Sequence, residues 1–226
     1  MENKSMVCRK SSLDFNDQWK RILENGGREF NIRLDKAQLD LMAYHASELV
    51  KWNKKFNITS ITDPFEIAVK HFIDSAILGN YIPDNGRVLD IGSGGGFPGL
   101  PVKIIKPGLD MVMTDRSRKK ISFISHVIRS AGLKQTRAVH ERCETLAQRD
   151  GFACSFDFVV SRAFTSLDRF IGLSRPFLQT GGVIIAMKGK KGIDEAKSLA
   201  DRKKLKIIPY QLPYEKHKRS LICFAL

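Results

Sequence analysis

Apolar positions along this chain follow two rhythms, a helical one at the start and a strand-like one after it. A first helix is expected from about Asp14 to Glu24, ended by Gly26-Gly27. Asp35 with Gln38 is a capping signal, and Met42, His45, Leu49, Trp52 and Phe56 then recur at helical spacing, which predicts a helix from Lys36 to about Lys54. Asp63 can cap a third helix, with Pro64 at its first position and Phe65, Val69, Phe72, Ile73 and Ala76 as its core face. On that helix His71, Asp74 and Ser75 share a second face. They form either a hydrogen-bonded set or a solvated side, and the solvated side is the plainer reading.

From Val88 onward the apolar runs shorten and read as strands: Val88–Ile91, Met111–Thr114, Arg137–His140, Phe156–Val160 and Val183–Met187. Two more follow near Leu205–Leu212 and Ser220–Leu226. Helices are expected between them, from Ile121 to Ser130 and from Asp194 to Lys204. Such alternation predicts a mostly parallel sheet covered by helices, with a crevice at the carboxyl ends of its strands.

The first of these strands ends in Asp90-Ile91-Gly92-Ser93-Gly94-Gly95-Gly96-Phe97-Pro98-Gly99. Glycines there permit a tight turn and close approach of a ligand to bare backbone. In a dinucleotide fingerprint the third glycine would stand where Phe97 stands, and no Lys-Ser/Thr follows, as a P-loop requires. The spacing of Asp90, Gly92, Gly94 and Gly96 resembles the first motif of class I S-adenosylmethionine-dependent methyltransferases. Asp115 ends the second strand 23 residues beyond Gly92, near the ~20 that suits a carboxylate binding ribose hydroxyls. Cys143 and Glu144 after the third strand suit the edge of an adenine slot. Ser161-Arg162 after the fourth completes the crevice.

Charge adds a second clue. The formal net charge is +14, and eleven Lys/Arg against four Asp/Glu put half of it in the last 39 residues. A field of one sign attracts polyanions. Four cysteines, Cys8, Cys143, Cys154 and Cys223, show no metal-ligand spacing, so reduced thiols, no metal and no disulfide are expected. No apolar run reaches 18 residues, and the polar opening Met1–Lys10 is not expected to be a signal peptide. These features predict a cytoplasmic protein without a membrane segment.

A resemblance then emerges. Trp52-Asn53-Lys54-Lys55-Phe56-Asn57-Ile58-Thr59-Ser60 is similar to the W-N-x-x-x-N-L-T block of the bacterial small-subunit ribosomal RNA methyltransferase G family, also called glucose-inhibited division protein B. The similarity continues through His71–Ser75, Asp90–Gly99, Ser161-Arg162-Ala163-Phe164, Met187-Lys188-Gly189 and Arg219-Ser220-Leu221. It implies a Rossmann-like class I methyltransferase domain over residues 63–226, with a seven-stranded, mostly parallel sheet, helices on both faces and a helical extension over residues 1–62. The implied cofactor is S-adenosylmethionine, and the implied reaction is methylation of N7 of guanine 527 in 16S rRNA of the small ribosomal subunit. A monomer is expected.

Expected cofactor contacts are Asp90, Gly92, Gly94, Phe97, Asp115, Cys143, Glu144 and Arg162. Guanine N7 has a free lone pair and no proton, so transfer needs orientation rather than a general base. Lys188 and Arg162 are the expected substrate-positioning cations, addressing base edge or phosphate. Arg116, Arg118, Lys119, Lys203, Lys204 and Arg219 are the expected RNA contacts. Two other readings stay open on the residues alone: a methyltransferase of small molecules or proteins, which leaves the basic tail unexplained, and a non-catalytic RNA-binding scaffold, against which the intact glycine loop argues.

Overall fold

The computed structural model describes residues 15–199, 204–216 and 218–226. Two helices lead the described chain, α1 (Asp17–Arg28) and α2 (Lys36–Phe56), followed by α3 (Pro64–Ile67), a π-helical turn (Ala68–Ile73) and α4 (Asp74–Leu78). An α/β succession follows: β1 (Gly86–Ile91), α5 (Gly99–Ile105), β2 (Leu109–Asp115), α6 (Arg118–Ser130), β3 (Thr136–His140), α7 (Cys143–Leu146), β4 (Phe156–Arg162), α8 (Leu167–Ser174), β5 (Leu178–Lys188), α9 (Lys191–Ser198), β6 (Leu205–Gln211) and β7 (Lys218–Ala225).

The strands form one sheet in the order β3-β2-β1-β4-β5-β7-β6. The pairs from β3 through β5 are parallel, and β7 runs antiparallel to both β5 and β6. Strand alternation sends Val88 and Met111 to one face and Leu89 and Val112 to the other, and helices cover both apolar surfaces. The expected seven-stranded class I architecture is borne out. Chain order reverses between β1 and β4, so the crevice lies at the carboxyl ends of those two strands.

The leading helices share a core with the sheet. Trp19, Leu23, Met42 and Leu49 belong to the same buried cluster as Val88, Phe97 and Met113. Trp19 packs edge-on against Phe72 at 5.3 Å and donates its indole N–H to Pro64 O at 2.8 Å, tying α1 to the third helical segment. The capping box of Asp35 and Gln38 is present.

Some boundaries differ from expectation. α1 runs through Gly26-Gly27 instead of stopping there, because Gly26 lets the helix approach Ile73 and Pro213 with no room for a Cβ. The helix expected from Asp194 to Lys204 begins at Lys191 and ends at Ser198, and Gly192 in its first turn packs tight against the Lys188 stem. Residues 200–203 of that expectation, Lys203 among them, lie outside the described residues, as does Cys8.

Candidate functional site

β1 delivers Asp90 and β2 delivers Asp115 to neighbouring ends of the sheet, and the glycine loop crosses between them. Gly92, Gly94 and Gly96 all have positive φ (+73°, +57° and +86°), which explains glycine at these positions. The Gly92 and Ser93 N–H groups both donate to Thr114 O, and Gly94 N–H donates to Asp115 Oδ2 at 3.0 Å. The other Asp115 oxygen accepts from Ser117 N–H at 2.8 Å. Asp115 therefore fixes the loop and the start of α6 while lining the cleft.

Asp90 is fully buried. Its Oδ2 accepts from Gly99 N–H at 2.9 Å, but its Oδ1 has no partner. Burial pushes its carboxyl up to about 7. A buried acceptor without a donor costs free energy unless a ligand supplies one.

A cleft of about 390 Å³ opens beside these residues, lined among others by Gly92, Asp115, Arg116, Arg142, Cys143, Glu144 and Phe164. Cys143 is buried, its thiol 3.3 Å from Glu144 Oε2, and burial followed by that carboxylate pushes it up to about 11. It is thus a neutral, weakly polar wall element rather than a nucleophile. Of the expected cofactor contacts, Gly92, Asp115, Cys143 and Glu144 line this cleft. Asp90 and Gly94 shape its loop.

Phe97 and Arg162 lie outside the cleft lining, in a buried polar cluster behind the loop. Phe97 is stacked between His45 at 4.7 Å and His71 at 4.5 Å. The Arg162 guanidinium lies over the same ring, 5.1 Å from its centroid. Its Nη1 donates to Lys70 O at 2.7 Å, and its Nη2 donates to His71 Nδ1 at 2.9 Å. A guanidinium has only donors, so His71 Nδ1 must be the acceptor and the ring proton sits on Nε2, facing Thr59 Oγ1 at 3.0 Å. Burial and the nearby Arg162 charge push the His71 imidazole down to about 2. Its lone pair is occupied and it is neutral at physiological pH. His45 resembles it: Nε2–H donates to Gly95 O at 2.8 Å, and burial pushes the ring down to about 4.

Asp74, which the pattern alone left as a solvated side, is 1% exposed. It accepts from Tyr210 O–H at 2.8 Å and pairs with Arg219 at 3.2 Å and Arg162 at 3.6 Å. Burial raises its carboxyl, and the two guanidiniums and the tyrosine oppose that rise. Sequence spacing cannot show this set, because Thr59, Arg162 and the paired Tyr210 and Arg219 come from three distant regions of the chain.

The expected cations divide sharply. Lys188 Nζ contacts Thr165 O and pairs with Glu195 at 2.9 Å, so it is held within the protein. Arg219, expected on RNA, is engaged by Asp74 and Glu215. Arg116, Arg118 and Lys119 are exposed, with Lys119 over the Phe56 ring at 5.6 Å. Lys204 is exposed near the Phe224 ring. Phe164 also lines the cleft and carried no expected role. Its sequence signals were its place in the Ser161–Phe164 block of the resemblance and an aromatic shortly after the fourth strand.

A glycine loop and two acidic strand ends at the sheet's switch point, one of them with an unpartnered buried oxygen, fit a ligand with a nucleoside and an ammonium group. The sequence profile of the family described as rRNA small subunit methyltransferase G matches residues 38–222. The chain belongs to that family. It is 44% identical over 209 residues to the ribosomal RNA small subunit methyltransferase G of Geobacter sp. (strain M21), covering 90% of this chain and 95% of that protein. To the Acinetobacter baumannii (strain SDF) protein of the same name it is 36% identical over 200 residues, covering 88% and 94%. Among solved structures it resembles a SAM-dependent methyltransferase from Aquifex aeolicus (TM-score 0.56, 14% identity, 75% of this chain and 97% of that one). It also resembles a predicted O-methyltransferase from Agrobacterium tumefaciens (TM-score 0.53, 16% identity, 67% and 80%). These two likenesses concern the fold. Among the described residues no helix is long and apolar enough to cross a membrane, and no group of metal-ligating side chains occurs.

Proposed function

We propose that this chain, a member of the rRNA small subunit methyltransferase G family, methylates N7 of guanine 527 in 16S rRNA, acting as a cytoplasmic monomer. Membership of the family makes it an S-adenosylmethionine-dependent rRNA methyltransferase. The observation that carries the site assignment is the unpaired Asp90 Oδ1 beside a glycine loop that Asp115 holds open. Asp90, Gly92 and Gly94 would take the amino-acid end of the cofactor, Asp115 the ribose, and Cys143 with Glu144 the adenine edge. When bound, the cofactor supplies an electrophilic methyl group.

The rest of the chemistry falls to the protein. Guanine N7 attacks with its own lone pair, so the chain has to hold base and methyl in line and keep water out. No base is needed, and His71 could not be one: its lone pair already takes the Arg162 proton donor. Arg162 and Phe97 act from behind, bracing the loop. Residues 63–226 form the methyl-transferring unit, and the helices before it brace the sheet. Exposed Arg116, Arg118, Lys119 and Lys204 would meet phosphates of the RNA.

Mass spectrometry of 16S rRNA from cells with and without this gene tests the reading. The expected result is a guanine N7 methyl mark present only with the gene. An unchanged mark in its absence overturns the reading.

A further inference from the structure

Five large apolar side chains are more than a third exposed among the described residues, and of these only Phe164 lines the cleft. It is 39% exposed. Its ring lies directly over the glycine loop: a Cβ added at Gly92 would come within 2.5 Å of Phe164 Cδ2. Gly92 is therefore needed to admit this ring as well as to make the turn. The preceding Ala163 sits at φ +51°, a conformation that a residue with a Cβ adopts at a cost of roughly 1–2 kcal/mol. Phe170 meets the ring edge-on at 6.5 Å.

The segment carrying the ring is tied down from behind. Lys188 Nζ holds Thr165 O, and the Glu195 carboxylate takes both Lys188 Nζ and Leu167 N–H, the latter at 2.6 Å. A lysine and a glutamate thus fix the main chain on the carboxyl side of Phe164, and neither group is left free to reach into the cleft.

We propose that Phe164 is the platform on which the target guanine stacks, and that Lys188 and Glu195 are positioning residues that hold the platform rather than touch the base. This rests on the rRNA methyltransferase reading. A base taken out of its stack in RNA loses its neighbours' faces, and an aromatic ring replaces one of them. Placed over Gly92, the ring would set the plane of the guanine against the loop that binds the methyl donor, which is what an attack by N7 without a base requires. Stacking tolerates any base, so the ring would give orientation, and hydrogen bonds from elsewhere would select guanine.

The test uses the full chain and small ribosomal subunits from cells lacking the gene. Wild-type methylation of those subunits comes first, and its failure would count against the function rather than the platform. Given that activity, Phe164→Leu should lower the single-turnover rate roughly 10- to 100-fold, with S-adenosylmethionine affinity by calorimetry unchanged, and Phe164→Tyr should restore the rate to within about threefold. In Phe164→Trp the added indole emission should be quenched when subunits bind without cofactor. Lys188→Met, with Glu195→Gln as the milder variant should it fail to fold, should lose rate on its own and lose less than about twofold more in the Phe164→Leu background. Three results would overturn the proposal: a wild-type rate in Phe164→Leu, a loss of cofactor affinity there, which would put the ring on the cofactor, or fully additive losses for Lys188→Met, which would return Lys188 to the base or phosphate.

Discussion

The cleft and the cluster behind it are built from the same kinds of residue and behave in opposite ways. In the cleft, Asp115 lines the open space while accepting from Gly94 N–H in the loop and Ser117 N–H before α6, and Asp90, buried outside the cleft lining, keeps one oxygen unpaired. Behind the loop, His71, Asp74, Arg162, Tyr210 and Arg219 answer one another's hydrogen bonds and charges, with Asp74 and His71 buried. The histidine and acid one turn apart, which spacing left as a hydrogen-bonded set or a solvated side, are held in the buried cluster. Opening onto the cleft, rather than residue type, separates site from scaffold.

Breaking the cluster should have the largest effect on stability. Arg162→Ala leaves Asp74 buried with one guanidinium fewer and frees the His71 Nδ1 acceptor. Removing one partner of a buried ion pair costs about 3–5 kcal/mol, and urea denaturation should show a loss in that range. A loss under 1 kcal/mol would mean the cluster holds little.

Next comes the cleft. Asp115→Ala removes a carboxylate that orders the loop and, on the proposed function, bonds the ribose hydroxyls, a loss of about 1.5–3 kcal/mol. Calorimetry should show S-adenosylmethionine binding at least tenfold weaker, with the far-ultraviolet dichroism intact.

Asp90 sharpens the contrast, because there binding and stability oppose each other. Its carboxyl is held up at about 7 in the fold, against ~4 for a free aspartate. Between those values the unfolded chain has lost the proton and the folded chain has kept it. Its contribution to stability is therefore full below about 4 and is lost as pH rises through 7. Asp90→Asn, unable to ionise, should be more stable than the parent at pH 8 by on the order of 2 kcal/mol, and less so at pH 5. It should also bind the cofactor more weakly. Thermal melts over that range decide it.

The smallest effect belongs to the surface. Lys204→Glu should flatten the log–log salt dependence of RNA binding by roughly 0.7–0.9, the share of one phosphate contact, and leave cofactor binding untouched.

Much of the fold was legible because buried strands keep their pattern. Met111–Thr114 and Phe156–Val160 were found from apolar runs, and the glycine loop from spacing. The early part of β5, Leu178–Gly182, escaped because Gly181-Gly182 reads as a turn, although the pairing with β4 absorbs it through a register shift. The π-helical turn at Ala68–Ile73 left no trace, since its residues fit an α-helix equally well. In the site, Asp115, Cys143 and Glu144 were readable as strand-end residues. The engagements of Lys188 with Glu195 and of Arg219 with Asp74 were not, because they join segments whose approach only the folded chain specifies.

The central claim is that this chain transfers a methyl group by placement, with the His71–Asp74 pair as scaffold. The measurement is the single-turnover rate on small subunits at saturating S-adenosylmethionine, from pH 6 to 9, for the wild type and His71→Gln. Saturation removes the effect of Asp90 titration on cofactor binding from the profile. The account predicts a nearly flat profile for both proteins, with His71→Gln keeping most of the rate. A bell-shaped wild-type profile that vanishes in His71→Gln would contradict it and make His71 an acid–base catalyst.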